Sequence, residues 1–483
     1  MSAPRKKLKL WGALALSLGL MGPTLAMAGN GQGLIGQVGA AVPLVFLLGF
    51  VGVALVAYGF IRLTQRYNHA GSAYALVGVT LGPRTGFVAG FALFGTYLFF
   101  SICTIALVGD FFNALLGIAD GSSTPTQVVW IVPALIALVL TTFLNTRDTR
   151  TVAKWLLIIE GIGITCMVIL SIVIFGHGGS DTTGINWQPF NPGTIGFGPI
   201  IAAVVAAFLS WAGFEACAAL GEETDSPRRN IPRALFGSVL LTGVLFVIVM
   251  FAQTVGFGTD KAGLDAFGSS PNTLGDLSLD YVGRWFAIIL VIAALMSAFA
   301  SNLSSLATAS RLLFALARDG FGPKVFAEVE PRHHNPRNAL LFVAGGALVV
   351  NVISYFTVWP VMGTGDAALD SYFYFAVTGA TAILVVYLLV EVAVFAAWRR
   401  GQISVKPAEL IIPTLGAILI LTVLWYGVKD QVGFAPAYLA LAWVVVGIII
   451  ALAAPGLTKR IGESLVRELE EGTESEFDAE VPA

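Results

Sequence analysis

Three carboxylates, Asp110, Glu160 and Glu215, stand inside long apolar stretches of this sequence. An ionisable side chain near the centre of a bilayer costs roughly 3 kcal/mol or more, so it normally faces a protein interior, a cavity or an ion path. A buried carboxyl can also load and release a proton near neutral pH, which is the chemistry of proton coupling. Glu160 and Glu215 are therefore the first functional candidates, whereas Asp110, nearer the outer surface, is expected to be hydrated.

Glu215 follows Gly213 and Phe214 in the middle of its apolar run, and it is the candidate substrate-binding or gating group. Glycine readily adopts the backbone torsions of a helix break, so the chain is expected to leave helical geometry there. Phe208 and Trp211, about one turn apart beside the break, are expected to cover a substrate ammonium from the outer side. The alternative is a tightly packed span in which Glu215 is protonated and hydrogen-bonded to a neighbour.

A second break is expected at Gly22-Pro23-Thr24, inside the first apolar run. Proline removes a backbone donor and clashes with the preceding turn. Free amides at the start of a half-helix attract a carboxylate, and free carbonyls attract an ammonium group, so the residues of both breaks are candidate substrate ligands. An ordinary proline kink is the alternative for this run alone, but the matching break at Gly213 favours a pair of interrupted helices.

Glu160 is the candidate proton carrier, expected on the cytoplasmic side, where a proton would be released. The alternative is a structural carboxylate paired with Arg147 or Lys154. Further along the chain, Ser301 and Ser305 belong to a hydroxyl stripe at helical spacing, with Asn302 beside it, and all three could line a polar path. Such hydroxyls also often bond back to their own helix or across to a neighbour.

The composition is that of a polytopic membrane protein. Hydrophobic residues make up 57% of the 483 residues, charged residues only 12%, and the mean hydropathy is +0.83. Soluble globular proteins carry about 25% charged residues. The net charge of -2 argues against a nucleic-acid partner, which would require a basic surface.

The remaining chemistry-bearing residues predict neither an enzyme nor a channel. The three cysteines lie in apolar runs and are expected to be buried free thiols. The four histidines form no HExxH motif and lie outside the apolar runs, so no metal site or cofactor is expected. No filter-like loop or charged ring of a channel is visible. A membrane enzyme or a channel is thus a distant alternative to a transporter.

Runs of about 20 apolar residues predict membrane helices. Twelve are predicted, at residues 10–34, 40–62, 85–117, 128–146, 152–175, 199–220, 233–257, 283–315, 338–358, 371–398, 409–427 and 433–454. With the N-terminus in the cytoplasm, only Lys261, Arg284 and Lys429 of the 27 basic residues fall outside. Since basic residues favour the cytoplasmic side, both termini are predicted to be cytoplasmic.

The first thirty residues also allow a different interpretation. The basic residues 5–7, the apolar run that follows and the Ala26-Met27-Ala28 motif are typical of a cleaved secretory signal peptide. The expected break at Gly22-Pro23-Thr24 favours a retained helix 1.

Three stretches resemble one transporter family. Residues 208–232, FLSWAGFEACAALGEETDSPRRNIP, resemble the sixth helix and following loop of the amino acid, polyamine and organocation transporter superfamily. Residues 70–82, AGSAYALVGVTLG, resemble the start of its helix 3, and residues 310–322, SRLLFALARDGFG, the end of its helix 8. Relatives typically carry small-small-Gly where this chain has Gly22-Pro23-Thr24, and many proton-coupled relatives carry a lysine near the position of Glu160.

The resemblance implies an all-α, leucine-transporter-like fold of 12 transmembrane helices. The implied parts are a cytoplasmic N-terminus at 1–9, inverted five-helix repeats at 10–176 and 199–398, helices 11 and 12 at 409–454, and an acidic cytoplasmic tail at 455–483. The implied activity is secondary active import of an amino acid or related amine across the cell membrane. Proton symport is expected; sodium coupling and exchange of amino acids or polyamines are the alternatives.

Overall fold

The structure is a computed structural model. It describes residues 9–67, 73–120, 128–147, 150–180, 184–193, 195–220, 224–318, 320–330, 335–429, 433–460 and 463. Most of the N-terminal segment 1–9 and of the acidic tail 455–483 lies outside these residues, so the predictions for both segments remain predictions.

The regular elements of the described residues are helices. The α-helices are α1 Leu10–Met21, α2 Pro23–Gly29, α3 Gln32–Val38, α4 Val42–Thr64, α5 Ala73–Leu81, α6 Pro83–Asp120, α7 Ile131–Asn145, α8 Arg150–His177, α9 Phe197–Leu209, α10 Pro227–Phe257, α11 Lys261–Ser269, α12 Thr273–Tyr281, α13 Arg284–Arg318, α14 Arg337–Thr357, α15 Ala367–Arg399, α16 Ile411–Val428 and α17 Pro436–Ala453. Short 3₁₀ helices cover Gly39–Ala41, Gln188–Phe190, Phe214–Leu220, Lys324–Ala327 and Pro407–Leu410.

Among the described residues, ten helical segments are long and apolar enough to cross a membrane, and α7 and α9 are shorter apolar helices. Every predicted span overlaps one of these helical segments, which confirms the all-α membrane class. The short helices α5, α11 and α12 were not predicted, because nine residues cannot cross a bilayer. Of these ten segments, α6 has the largest share of residues buried inside the bundle, and the segment that contains α16 has the smallest.

The first membrane segment is interrupted where the sequence predicts. Helix α1 ends at Met21, Gly22 takes left-handed torsions (φ 57°, ψ 62°), and α2 begins at Pro23. Glycine accepts this conformation without the strain that a Cβ atom brings. Proline suits the first position of the new helix because its missing N–H would have no helical partner there.

The segment at residues 199–220 is interrupted in the same way. Helix α9 ends at Leu209, a turn with i to i+3 hydrogen bonds follows, and Gly213 takes a φ of +101° before the 3₁₀ helix Phe214–Leu220. A Cβ atom on Gly213 would lie 2.8 Å from Cγ of Leu20. The two interrupted segments therefore cross in close contact, and glycine is required at the crossing.

Side-chain contacts also join the two breaks. The Ser17 hydroxyl in α1 donates to the Phe214 carbonyl at 2.9 Å and accepts from the Cys217 amide at 3.2 Å. Cys217, like Cys103 and Cys166, is a buried free thiol, as expected. Ser17 thus satisfies backbone groups that the break in the second segment leaves without helical partners.

Candidate functional site

A small closed cavity lies between the two breaks. Its volume is about 30 Å³, far below the roughly 300–1,000 Å³ of most small-molecule sites. Met21 and Leu25, on either side of the first break, and Ala212 in the second break belong to its wall. The polar groups of the wall are Asn30, Tyr97, Thr104, Ser301, Ser305 and Tyr372. A metabolite would fit here only after the helices move apart.

One end of the cavity is closed by a chain of three polar side chains. The Asn30 amide donates to the Ser210 hydroxyl at 2.7 Å, and the Tyr372 hydroxyl donates to the Asn30 carbonyl oxygen at 2.5 Å. These residues come from the end of α2, the end of α9 and the start of α15. The chain therefore ties both interrupted segments to α15 on one side of the cavity.

The other end is closed around Glu215, which is 4% exposed. Its two oxygens accept hydrogen bonds from the hydroxyls of Tyr97 and Tyr387, each at 2.9 Å, and from the Gly213 amide at 3.2 Å. Three donors compensate for the water that the carboxylate lacks. Glu215 is thus hydrogen-bonded, as the alternative interpretation expected, and it joins the second break to α6 and α15.

The two polar closures are well separated along the bundle. Tyr372 and Tyr387 lie 15 positions apart on α15, which corresponds to roughly 22 Å of helix rise. Because the cavity wall includes both Tyr372 and Tyr97, the cavity occupies the space between the closures. The structure is therefore closed on both sides of its central cavity.

Glu160 binds the start of α2. Its Oε1 accepts from the Thr24 backbone N–H at 2.7 Å and from the Thr24 hydroxyl at 2.9 Å. The next amide, of Leu25, donates to the Ser297 hydroxyl at 3.1 Å. Carboxylates favour helix N-termini because the amides there lack partners. Helix α8 comes this close because residue 163 is glycine, whose Cβ would lie 2.3 Å from the Thr24 hydroxyl oxygen.

The structure also bears on the alternative interpretation of Glu160 as the partner of a nearby cation. Glu160 lies ten residues, or about 15 Å of rise, from the beginning of α8, at the depth of the first break. Arg147 stacks on the Phe143 ring at 5.1 Å and Lys154 is exposed. The partner of Glu160 is Thr24 and neither of these cations.

The aromatic residues of the second break do not line the cavity in this structure. The Trp211 ring, 1% exposed, packs against Phe46 at 5.8 Å and Phe246 at 5.2 Å between centroids. Phe208 lies against Gly52 of α4, where a Cβ would come within 2.7 Å of its ring, and Phe214 packs against neighbouring rings. Their contact with a substrate stays a prediction for a more open form.

The candidate path residues of α13 point in two directions. Ser301 and Ser305 line the cavity. Asn302 instead accepts from the Thr141 hydroxyl at 2.8 Å and donates to the Ser101 carbonyl at 2.8 Å. Asn302 therefore fastens α13 to α7 and α6.

Asp110 differs from its sequence-based prediction. The residue was expected to be hydrated near the outer surface, yet it is 3% exposed. One of its oxygens, Oδ2, has no hydrogen-bond partner among the described residues. The prediction failed because α6 runs through the centre of the bundle and is covered along most of its length, including the residues on either side of Asp110.

Sequence reasoning missed five polar residues of the closures and one further carboxylate. The five, Asn30, Tyr97, Ser210, Tyr372 and Tyr387, carry no charge, and uncharged polar residues are common enough in membrane helices that nothing distinguishes them. Glu391 of α15 is fully buried. It could have been found by the signal that identified Glu215, a charge inside an apolar run.

A bundle of apolar helices in which two interrupted helices meet at a closed polar cavity is the architecture of a membrane transport protein. The comparison with known families agrees. The chain belongs to the amino acid permease family, whose pattern matches residues 8–454. It is thus a multi-pass membrane transporter and not an enzyme.

Several curated relatives are similar along most of their length. The chain is 26% identical to the low-affinity putrescine importer PlaP of Escherichia coli (strain K12), over 84% of both chains. It is 24% identical to the branched-chain amino acid permease BcaP of Lactococcus lactis subsp. cremoris (strain MG1363), over 91% of this chain and 92% of the relative. It is also 24% identical to the gamma-aminobutyric acid permease of E. coli (strain K12), over 74% and 73%. The chain therefore transports an amino acid or an amine.

Proposed function

We propose that the protein imports an amino acid or related amine across the cell membrane by proton symport with alternating access. The observation that carries this proposal is the contact of Glu160 with both donors of Thr24 at the first break. This contact links a titratable carboxyl directly to the interrupted helix beside the cavity. A proton on Glu160 weakens the link, and an ionised Glu160 restores it.

The two polar closures supply the gates of this cycle. With the beginning of the chain in the cytoplasm, as the distribution of basic residues predicts, the Glu215 closure faces the cytoplasm and the Asn30 closure faces outside. Opening the outer gate separates Asn30 from Ser210 and Tyr372, and opening the inner gate separates Glu215 from its tyrosines. Each gate exchanges a few hydrogen bonds for water, which costs little net free energy per bond.

The charge of the cavity region favours a substrate with an amine. Glu215 borders the cavity region, and the first amides of α2 already serve Glu160 and Ser297. A substrate carboxylate must compete with Glu160 for Thr24, whereas an ammonium group is attracted to the acidic side chains. The similarity to a putrescine importer and to amino acid permeases is consistent with an amine as the shared feature.

We further infer that residues 10–176 and 199–398 form two inverted five-helix repeats, followed by helices 11 and 12 at 409–454. The support is positional, because each interrupted segment is the first of its proposed repeat. In transporters built this way, the substrate site lies between the interrupted helices near the bilayer midplane.

Proteoliposome uptake tests the proposed function. Purified protein is reconstituted and supplied with amino acids and amines, including putrescine, with and without an inward proton gradient and with and without sodium. We expect substrate to accumulate when the outside is more acidic, whether or not sodium is present. Accumulation that requires sodium, or counterflow without net uptake, would contradict proton symport.

Trp211→Ala is expected to weaken substrate affinity more than it lowers the amount of folded protein. The reason is that the Trp211 ring sits at the second break and could cover an ammonium group once the cavity opens. Phe246→Ala is the matched control, because it removes a ring from the same cluster on a helix without a break. Equal affinity in the two variants would assign Trp211 to packing alone.

A further inference from the structure

A carboxylate that takes no part in the cavity lies between α4, α15 and α16. Glu391 of α15 is 0% exposed. A Cβ atom on Gly59 of α4 would lie 3.1 Å from its Oε1, and one on Gly416 of α16 would lie 3.4 Å from its Cδ. Two glycines on the neighbouring helices therefore make room for this carboxyl group.

Neither oxygen of Glu391 has a hydrogen-bond partner in the described part of the chain. This distinguishes Glu391 from the other two buried glutamates. Glu160 accepts two hydrogen bonds and Glu215 accepts three. A buried carboxylate without a donor or a cation loses its hydration and gains nothing, so the uncharged form is the stable one.

The helices α4, α15 and α16 meet in a seam around Glu391. A partly exposed charged cluster lies at one end of this seam. Arg62 of α4 pairs with Glu409, which also accepts from the Tyr58 hydroxyl at 2.8 Å, and the Arg62 and Glu409 side chains are 29% and 30% exposed. Arg62 lies three residues beyond Gly59, about 5 Å of rise along α4. Its Nε–H is buried and has no partner among the described residues. Arg62 thus keeps one unused donor about one helical turn from the glycine of α4 that contacts Glu391.

Other ionisable groups on the packed elements do not replace Arg62 as a counter-charge. Glu215 already receives three donors. Because Glu215 is itself an acid, it could not stabilise an ionised Glu391. The ionisable groups on α4, α15, α16 and the 3₁₀ helix before α16, besides Glu391 itself, are Tyr58, Arg62, Asp370, Tyr372, Tyr374, Tyr387, Arg399, Glu409 and Tyr426. Of the two cations, Arg399 lies eight residues from Glu391, about 12 Å of rise along α15, whereas Arg62 follows Gly59, which contacts Glu391, by three residues on α4.

We propose that Glu391 is a second proton-binding site of the transporter, which exchanges its proton with water at the Arg62–Glu409 end of the seam. In the closed form the carboxyl is protonated and Arg62 pairs with Glu409. When the seam loosens, Glu391 gives its proton to water and its carboxylate pairs with Arg62, which leaves Glu409 to the solvent. The reverse movement takes one proton back from the same water, so Glu391 binds and releases one proton on one side as the gate closes and opens, and it moves no net proton across the membrane.

A merely structural role does not explain the residue. An apolar side chain of similar length would fill the same space without the cost of burying a carboxyl. Glu391 also lies one helical turn from Tyr387, the donor to Glu215. A movement of α15 that breaks the inner gate therefore moves Glu391 as well, so proton exchange and gate opening share one element.

Infrared difference spectroscopy on the full-length purified protein tests the site without any transport assay. Subtracting the spectrum of Glu391→Gln from that of the wild type at neutral pH should leave the C=O band of one protonated carboxyl. Glu391→Met, unbranched and similar in length, is the second variant in case the glutamine amide disturbs folding. Glu463→Gln, an exposed carboxylate with a surface partner, is the matched control and should leave no such band. A wild-type spectrum without the Glu391 band overturns the proposal.

The route through Arg62 has its own readout. Arg62→Gln removes the cation that stabilises ionised Glu391, so the band should persist to higher pH than in the wild type. An unchanged titration of the band overturns the exchange route.

The gating part of the proposal rests on the proposed alternating access. In proteoliposomes, exchange of labelled against unlabelled substrate by Glu391→Gln should depend less on the pH at the Arg62–Glu409 side than exchange by the wild type does. An unchanged pH dependence overturns a gating role for Glu391. A wild type that exchanges no substrate would contradict the proposed transport, while the infrared band would still decide whether Glu391 binds a proton.

Discussion

Glu160→Gln is expected to abolish accumulation driven by a pH gradient while exchange of substrate across the membrane survives. Glutamine keeps the shape of the side chain, and its carbonyl oxygen can still accept from the Thr24 amide, but it cannot release a proton. A gradient of one pH unit stores about 1.4 kcal/mol per proton, enough for roughly tenfold accumulation. The accumulation ratio of the variant should fall to about one.

The measurement is proteoliposome uptake with an imposed pH gradient, together with exchange of labelled against unlabelled substrate at equal pH. Glu463→Gln removes a carboxylate of the same kind from an exposed position and should accumulate substrate as the wild type does. If Glu160→Gln still concentrates substrate on a proton gradient, Glu160 is not the carrier. Loss of exchange as well would assign Glu160 to the architecture of the first break, because the Thr24 contact would then be required for every movement.

Glu215→Gln is expected to lower substrate affinity by roughly ten- to a hundredfold, or to stop both uptake and exchange. Three donors converge on the Glu215 carboxylate, and an amide presents two donors of its own to them. A hydrogen bond to a charged group contributes about 1.5–3 kcal/mol, and a buried donor without an acceptor is costly. The inner gate of the variant should therefore close poorly, and the attraction for an ammonium group should be lost.

Binding of labelled substrate to purified protein measures the affinity, and exchange at equal pH measures movement without a driving gradient. Tyr97→Phe and Tyr387→Phe remove one donor each and keep the carboxylate, so each should weaken the gate but retain the attraction for an amine. Wild-type affinity together with normal uptake in Glu215→Gln would show that the carboxylate neither binds substrate nor closes the gate.

The sequence alone determined the class of the protein, the positions of its membrane helices and the two breaks. These features depend on local chemistry. A run of apolar residues partitions into lipid whatever its neighbours are, and Gly22-Pro23 and Gly213 interrupt a helix through their own backbone preferences. The buried carboxylates Glu160 and Glu215 were found for a related reason, since a charge inside an apolar run is unfavourable wherever the run packs.

Only the tertiary structure decided which side chains meet. Glu160 bonds to Thr24, 136 positions away, and Glu215 meets Tyr97 and Tyr387, 118 and 172 positions away. The same packing turned the Trp211 ring away from the cavity and covered Asp110. Helical periodicity fixes which residues share a face, but the partner of that face depends on how helices distant in sequence pack against each other. The two polar closures, on which the proposed gates rest, therefore became visible only in the folded bundle.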